Sequence, residues 1–245
     1  MLSFTNGTAL HTFMKIVTLN VRHGGGTRAG RLLGWFSQFA ADVVVMTEYR
    51  ENSNSARFKS GLFEMGYKWQ ASSSIDPDEN AVFLASKSPF VSNSQLGDCS
   101  GFRHRLLFAR FTKFNLIGAY FPQGEEKRPV FDFLIDNAPT LLGEFGLILG
   151  DFNTGKPYLD EAGRTFACAD CFDGLLSSGL IDAWRVRYPD RREFSWYSTA
   201  KNGFRIDHAF CTAPLNQQVT SIAYLHEPRE AAATDHSALA VELNC

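Results

Sequence analysis

Apolar runs of six to nine residues, rich in Val, Ile, Leu and Phe, recur along the chain and end in polar or turn-forming residues. That pattern predicts strands. The first five are "KIVTLNV" (15–21), "DVVVMTEY" (42–49), "AVFLAS" (81–86), "RLLFARF" (105–111) and "FNLIGAYF" (114–121). They continue with "FGLILGDFN" (145–153), "EFSWYS" (193–198), "RIDHAFC" (205–211), "VTSIAYL" (219–225) and "SALAVEL" (237–243). Helical spacing predicts helices over 30–40, where Leu33, Trp35, Phe36 and Phe39 share one broad face, over 128–142 and over 168–185. Helix and strand alternate early, and short strands joined by turns dominate later. So many strands need both faces covered, and two packed mixed sheets flanked by helices do this most simply. The expected fold is a four-layer α/β sandwich. No repeat, low-complexity tract or linker divides the chain. Residues 1–13 read as a flexible N-terminal extension and 14–245 as one domain, with Met14 as an alternative start.

Composition narrows the class. The 245 residues are 44% hydrophobic and include 22 Phe, enough for one large core. A formal net charge of −2 argues against a protein that grips polyanions over its whole surface, while allowing a local basic rim. No apolar run is long enough to span a membrane, so a soluble protein without membrane contact is expected. The N-terminus lacks the basic start and apolar stretch of a signal peptide. Five scattered cysteines suit reduced thiols and a cytoplasmic location better than a disulfide framework. Cys168 and Cys171 form one CxxC; with no second pair or clustered histidine, it reads as a helix face rather than a zinc or redox site.

The strand ends carry the candidate chemistry. Asn20, Glu48, Tyr120, Asp151 and Asn153 each close an apolar run, Asp207 sits inside "RIDHAF", and Asp235 and His236 immediately precede the last run. Any one of these is an ordinary polar turn. Carboxylates gathered at one rim would repel each other unless a cation neutralised them. Oxygen donors with a single histidine suit Mg²⁺ or Mn²⁺ better than zinc. A hard cation beside a His–Asp pair is equipment for phosphate-ester hydrolysis.

In order and approximate spacing, "TLNV", "TEYR", "GAYFPQGE", "LILGDFN", "FSWY", "RID" and "TDHSAL" resemble the endonuclease/exonuclease/phosphatase superfamily over residues 14–243. The match is closest to the exonuclease III type of apurinic/apyrimidinic endonuclease. The resemblance implies a metal-dependent phosphodiesterase site at one rim of the sandwich. Glu48 would be the principal metal ligand, with Asn20 and Asp235 beside it. Asp151 would activate the attacking water and Asn153 would hold water and phosphate. His236, oriented by Asp207, would bind or protonate a phosphoryl oxygen; Tyr120 would hydrogen-bond the phosphate, with Gln123 and Arg105 near it. Phe194 and Trp196 fall in the stretch that surrounds an abasic sugar in the repair enzymes. They share a strand face by alternation, which leaves core packing equally open. Alternation also separates Asp207 from His208, so the resemblance selects Asp207 and leaves His208 to packing or the surface.

The chain departs from the family at Arg22, where a second polar residue is usual, and at Arg50, where a lysine is usual. The segments that grip duplex DNA are shorter. The implied activity is a Mg²⁺- or Mn²⁺-dependent DNA nuclease of repair, 3′→5′ exonuclease, abasic-site endonuclease or both, with single strands or ends favoured and a monomer expected. The alternative is a phosphodiesterase or phosphatase acting on small-molecule or lipid head-group phosphates. One ion or two is left open. The glycine-rich loop "HGGGTRAGR" (23–31) is either a phosphate-backbone contact or a turn into the first helix.

Overall fold

The structure, a computed structural model, describes residues 13–93 and 101–244. Cys99, Cys245 and all of the N-terminal extension except Phe13 lie outside the described residues. In chain order the elements are β1 (Phe13–Asn20), α1 (Ala29–Phe39), β2 (Val43–Tyr49), α2 (Ser55–Glu64), β3 (Trp69–Ser72), β4 (Ala81–Ser86) and β5 (Val91–Asn93). Then follow β6 (Leu106–Arg110), β7 (Asn115–Tyr120), α3 (Arg128–Leu142), β8 (Gly146–Asp151), α4 (Ala169–Ser177) and β9 (Ile181–Asp182). The chain closes with β10 (Trp196–Tyr197), β11 (Gly203–Phe204), β12 (Asp207–Cys211), α5 (Ala213–Gln218), β13 (Val219–Leu225), α6 (Glu227–Glu230) and β14 (Ala238–Asn244).

Two six-stranded mixed sheets face each other, ordered β13-β14-β1-β2-β4-β3 and β5-β6-β7-β8-β12-β9. Only β1/β2 and β7/β8 pair in parallel among the named strand pairs; α1 and α3 make those crossovers. Three apolar layers result. Ile16, Val43, Val45, Leu116, Leu147 and Ala209 fill the space between the sheets. Val17, Val44 and Met46 face α1 and α2 on one outer side, while Ile117, Ile148 and Phe210 face α3 and α4 on the other. With both faces covered, strands such as "VVVM" need no polar alternation. Gly118 marks a close approach of the sheets: a Cβ there would stand 2.7 Å from Val82 Cγ1.

Helix α3 spans the predicted 128–142, with Pro129 in its first turn and Gly143, at φ +60°, just after it. The helix predicted over 168–185 is shorter. It stops at Ser177 because Gly179 adopts φ +97°, after which the chain pairs as β9. In α1 the fully buried face is Ala29, Leu32, Phe36 and Phe39; Leu33 and Trp35 flank it half-buried. Helix α2 and the edge strands β3 and β5 are additions to the predicted elements. Cys168 and Cys171 are buried free thiols at the start of α4, and burial first of all raises both, Cys168 to about 12.

Candidate active site

Strand register assembles the centre of the site. β8 lies between β7 and β12, and Asp151 pairs with Tyr120 on one side and Asp207 on the other. Directly opposed residues project to the same face of a sheet, here the face turned toward the other sheet. That second sheet supplies Asn20, in phase with Ile16 on the inner face of β1. Glu48 needs a further device. Simple alternation after Val43 and Val45 would turn it outward, but β2 shifts register between Met46 and Tyr49, and Glu48 takes φ +52°. This irregularity points the carboxylate into the site and sends Tyr49 outward onto Phe58 and Phe83.

Hydrogen bonds hold these groups in place. Asn20 Nδ2 donates to Glu48 Oε1 at 3.0 Å and to Asp151 Oδ2 at 2.9 Å, while Asn20 Oδ1 accepts the Arg22 N–H at 2.8 Å. Asp151 Oδ1 accepts the Asn153 N–H at 2.9 Å, and Asn153 Nδ2 donates to the Phe121 carbonyl at 2.8 Å. His236 Nδ1 lies 2.9 Å from Asp207 Oδ2, both groups being buried. The segment before β14 is anchored by Thr234, whose hydroxyl donates to the Asn20 carbonyl at 2.6 Å. Asp235, half-exposed, stands 3.7 Å from Arg22 Nε.

The electrostatics follow from burial and an excess of carboxylates. Burial first, then the negative charges of Asp207 and Glu48, push Asp151 up to about 7 against the opposing pull of His236. Burial alone would lower His236, but Asp207, by charge and hydrogen bond, and then Asp151 and Asp235 lift it to about 10. Burial, with Glu48 and Asp151, raises Tyr120, which therefore stays a phenol and a donor.

These residues line or underlie a cavity of about 640 Å³. Glu48, Tyr120, Gln123, Asn153, Trp196, Asp235 and His236 line it; Asn20, Asp151 and Asp207 sit beneath. Arg105 stands behind, its guanidinium 4.8 Å from the centre of the Tyr120 ring. Phe194 is not on the wall. β10 is only two residues long, and Phe194 instead sits edge-on against Tyr197 at 5.9 Å; a Cβ on Gly203 would meet its ring at 2.4 Å. The expected shared face with Trp196 is therefore absent, and Phe204, 5.7 Å from Trp196, takes that place. His208 is a packing residue: its Nε2 lies 2.8 Å from the Thr154 carbonyl and its ring touches Phe152, Phe172 and Phe210.

The residue types fit a hard cation. Glu48, Asp151, Asp207 and Asp235 converge on the site, and Asp207 Oδ1 is buried without a hydrogen-bond partner. Asp151, Asp207 and His236 bring one potential ligand atom each within 4.8 Å of one another, although His236 Nδ1 is already engaged by Asp207. Two further groups escaped the sequence reading. Lys127 is buried, lines the cavity and donates to the Asn153 carbonyl, and burial lowers its ammonium. A cation at the start of α3 opposes the helix dipole, which was the available signal. His23, also on the cavity wall, places Nδ1 3.1 Å from Glu48 Oε2.

Among curated protein sequences, none is a significant match to this chain. Solved structures share its fold. An AP endonuclease from Archaeoglobus fulgidus aligns with TM-score 0.83 and 20% identity over 95% of this chain and 100% of its own. A 3′-5′ exonuclease (NExo) from Neisseria meningitidis aligns with TM-score 0.81 and 20% identity, with the same coverages. A 3′ phosphatase NExo variant from Neisseria, bound to product DNA hairpin, gives TM-score 0.77 at 20% identity, again over 95% and 100% of the two chains. The sequence profile of the Endonuclease/Exonuclease/phosphatase family matches residues 17–236, nearly the whole described domain, and the chain belongs to that family.

Proposed function

We propose that the protein is a divalent-cation-dependent nuclease that hydrolyses DNA phosphodiester bonds. It would act as a 3′→5′ exonuclease, an abasic-site endonuclease or both, favouring single strands or ends. A monomeric, cytoplasmic enzyme of DNA repair is the proposed setting. The observation that carries this reading is the Asp207–His236 pair beside the raised carboxyl of Asp151, under an open cavity with an aromatic wall. Family membership and the three structural neighbours, an AP endonuclease, a 3′-5′ exonuclease and a 3′ phosphatase bound to product DNA hairpin, support it.

Glu48 and Asp235, with Asn20 beside them, would hold Mg²⁺ or Mn²⁺, which when bound neutralises phosphate charge and eases departure of the leaving oxygen. The chain's own groups do the rest. Asp151 accepts the proton of the attacking water; Asn20 Nδ2 and Asn153 Nδ2 hold its Oδ2, while Oδ1, fixed by the Asn153 N–H, keeps a free lone-pair direction. His236, held protonated by Asp207, donates through Nε2 to a phosphoryl oxygen. The Tyr120 hydroxyl and the Lys127 ammonium add donors for the charge that builds at phosphorus. Trp196 and Phe204 exclude water and receive the sugar or base.

A second reading, hydrolysis of small-molecule or lipid head-group phosphates, is favoured by the state of the rim. Arg28 donates to the Ala233 carbonyl, Arg31 to that of Ala231, and Arg50 to Asn80, so three rim arginines are engaged internally. EDTA is expected to abolish cleavage of a fluorescent oligonucleotide, and Mg²⁺ or Mn²⁺ to restore it; undiminished turnover in EDTA would reject the cation. Single-stranded, blunt duplex and abasic duplex oligonucleotides compared with an inositol phosphate decide between the two readings.

A further inference from the structure

We propose that His23 is a nitrogen ligand of the cation site, so that this chain binds transition ions such as Mn²⁺ in preference to Mg²⁺. The inference rests on the cation reading above and deepens it.

The backbone is built to bring this imidazole to Glu48. Arg22, His23, Gly24, Gly25 and Gly26 take φ of +55°, +51°, +70°, +75° and +51° in succession. For the two non-glycine residues this left-handed conformation is strained. Glycine is required at position 24, where a Cβ would lie 2.7 Å from Asn52 Nδ2. The turn is pinned to Glu48 twice by its backbone, Gly24 N–H donating to the Glu48 carbonyl at 2.7 Å and His23 N–H to Glu48 Oε2 at 3.0 Å. A strained left-handed turn thus ends with a side chain on the carboxylate that is itself held at φ +52°.

The contact geometry is that of two neighbouring ligands. Nδ1 lies 3.1 Å from Glu48 Oε2. Adjacent donors on an octahedral ion with bonds of 2.0–2.1 Å lie about 3 Å apart. Nδ1 also faces Arg50 Nη2 at 3.3 Å and Asn80 Nδ2 at 3.4 Å. A hydrogen on Nδ1 suits Glu48 but opposes those two donors, whereas a lone pair suits the donors but opposes the carboxylate oxygen. A cation shared by Nδ1 and Oε2 removes that second conflict and takes the single Nδ1 lone pair in place of the Arg50 and Asn80 donors. Imidazole nitrogen suits transition ions, and oxygen-only sets suit Mg²⁺, so an added nitrogen donor shifts the preference between them.

The test is pulsed electron paramagnetic resonance of the Mn²⁺-loaded protein, with ion affinities measured by titration. Directly bonded nitrogen coupling is expected in the wild type, lost in His23→Gln and kept in His236→Gln. His23→Gln is expected to weaken Mn²⁺ binding about tenfold and Mg²⁺ binding, read by competition, about twofold or less. Absence of nitrogen coupling at saturating Mn²⁺, or its persistence in His23→Gln, overturns the assignment while leaving the cation reading standing. Failure of Mn²⁺ to bind at all overturns both.

Discussion

Arg205 and Asp207 flank a single isoleucine, yet they enter opposite kinds of buried cluster. Arg205 forks between Asp160, at 2.7 and 3.0 Å, and Asp182, at 2.6 and 3.3 Å, and Arg185 also donates to Asp160 Oδ1. Two guanidiniums meet two carboxylates. Burial alone would raise Asp182, but Arg205 and His208 overcome it and hold it well below the usual carboxylate range. On the Asp207 side, Asp151 and Asp207 share the buried His236, Glu48 meets the exposed His23, and Asp151 is pushed up to about 7. Both clusters bear the desolvation penalty of buried charge. Equal counter-charge offsets it in the first and leaves a structural brace. In the second the imbalance is held ready for a cation, a water and a phosphate.

The largest effect that sharpens this contrast is on turnover. Asp151→Asn or His236→Gln is expected to lower kcat by about a thousandfold or more with an unchanged circular dichroism spectrum; wild-type-like rates would reject the roles proposed for them. Next comes stability. Arg205→Met leaves buried Asp182 without a guanidinium and Asp160 with Arg185 alone, and is expected to cost about 3–5 kcal/mol, lowering Tm by about 10 °C or more. Asp151→Asn removes an uncompensated charge and is expected to raise the Tm of the metal-free protein by about 2–4 °C at pH 8. Scanning calorimetry of both variants checks this, and shifts of the same sign would erase the distinction between the clusters.

The two clusters also predict opposite pH windows. Asp182 is depressed, so its stabilisation is present above its ordinary value of 3.8 and is lost only as pH falls below that. Asp151 and His236 are raised. Their contributions are fully present below 3.8 and 6.5 respectively, and are lost as pH rises through about 7 and about 10. Metal-free protein should therefore lose Tm from about pH 4 to about 10, Asp151 acting up to about 7 and His236 from there upward, and His236→Gln should flatten the upper part of that curve. The smallest expected effect concerns the wall. Trp196→Ala should raise KM about tenfold with kcat little changed, while Phe194→Ala, off the cavity, should leave KM within about twofold. Equal effects would mean that the two aromatic rings act together after all.

Some of this was legible in the residues. Helix α3 announced both its ends because Pro129 and Gly143 are local signals. The separation of Asp207 from His208 followed from strand periodicity alone, and the structure sends His208 into the apolar layer beneath α4. Local patterns failed where a long-range contact overrode them. The Phe194 reading assumed a six-residue strand, but pairing is limited to Trp196 and Tyr197. Lys127, in the charged stretch "GEEKR", is buried against Asn153.

By itself the sequence determined which polar residues close or precede the strands, and hence that oxygen donors and one histidine would gather at a rim. Those features are local, set by side-chain chemistry and a two-residue period. Only the tertiary structure decided which of them meet and which way they point. Asp151 meets Tyr120 and Asp207 because β8 pairs between β7 and β12, and Glu48 turns inward because β2 shifts its register against β4. Register between distant segments is set by the packing of whole faces, and a one-residue shift reverses every side chain beyond it.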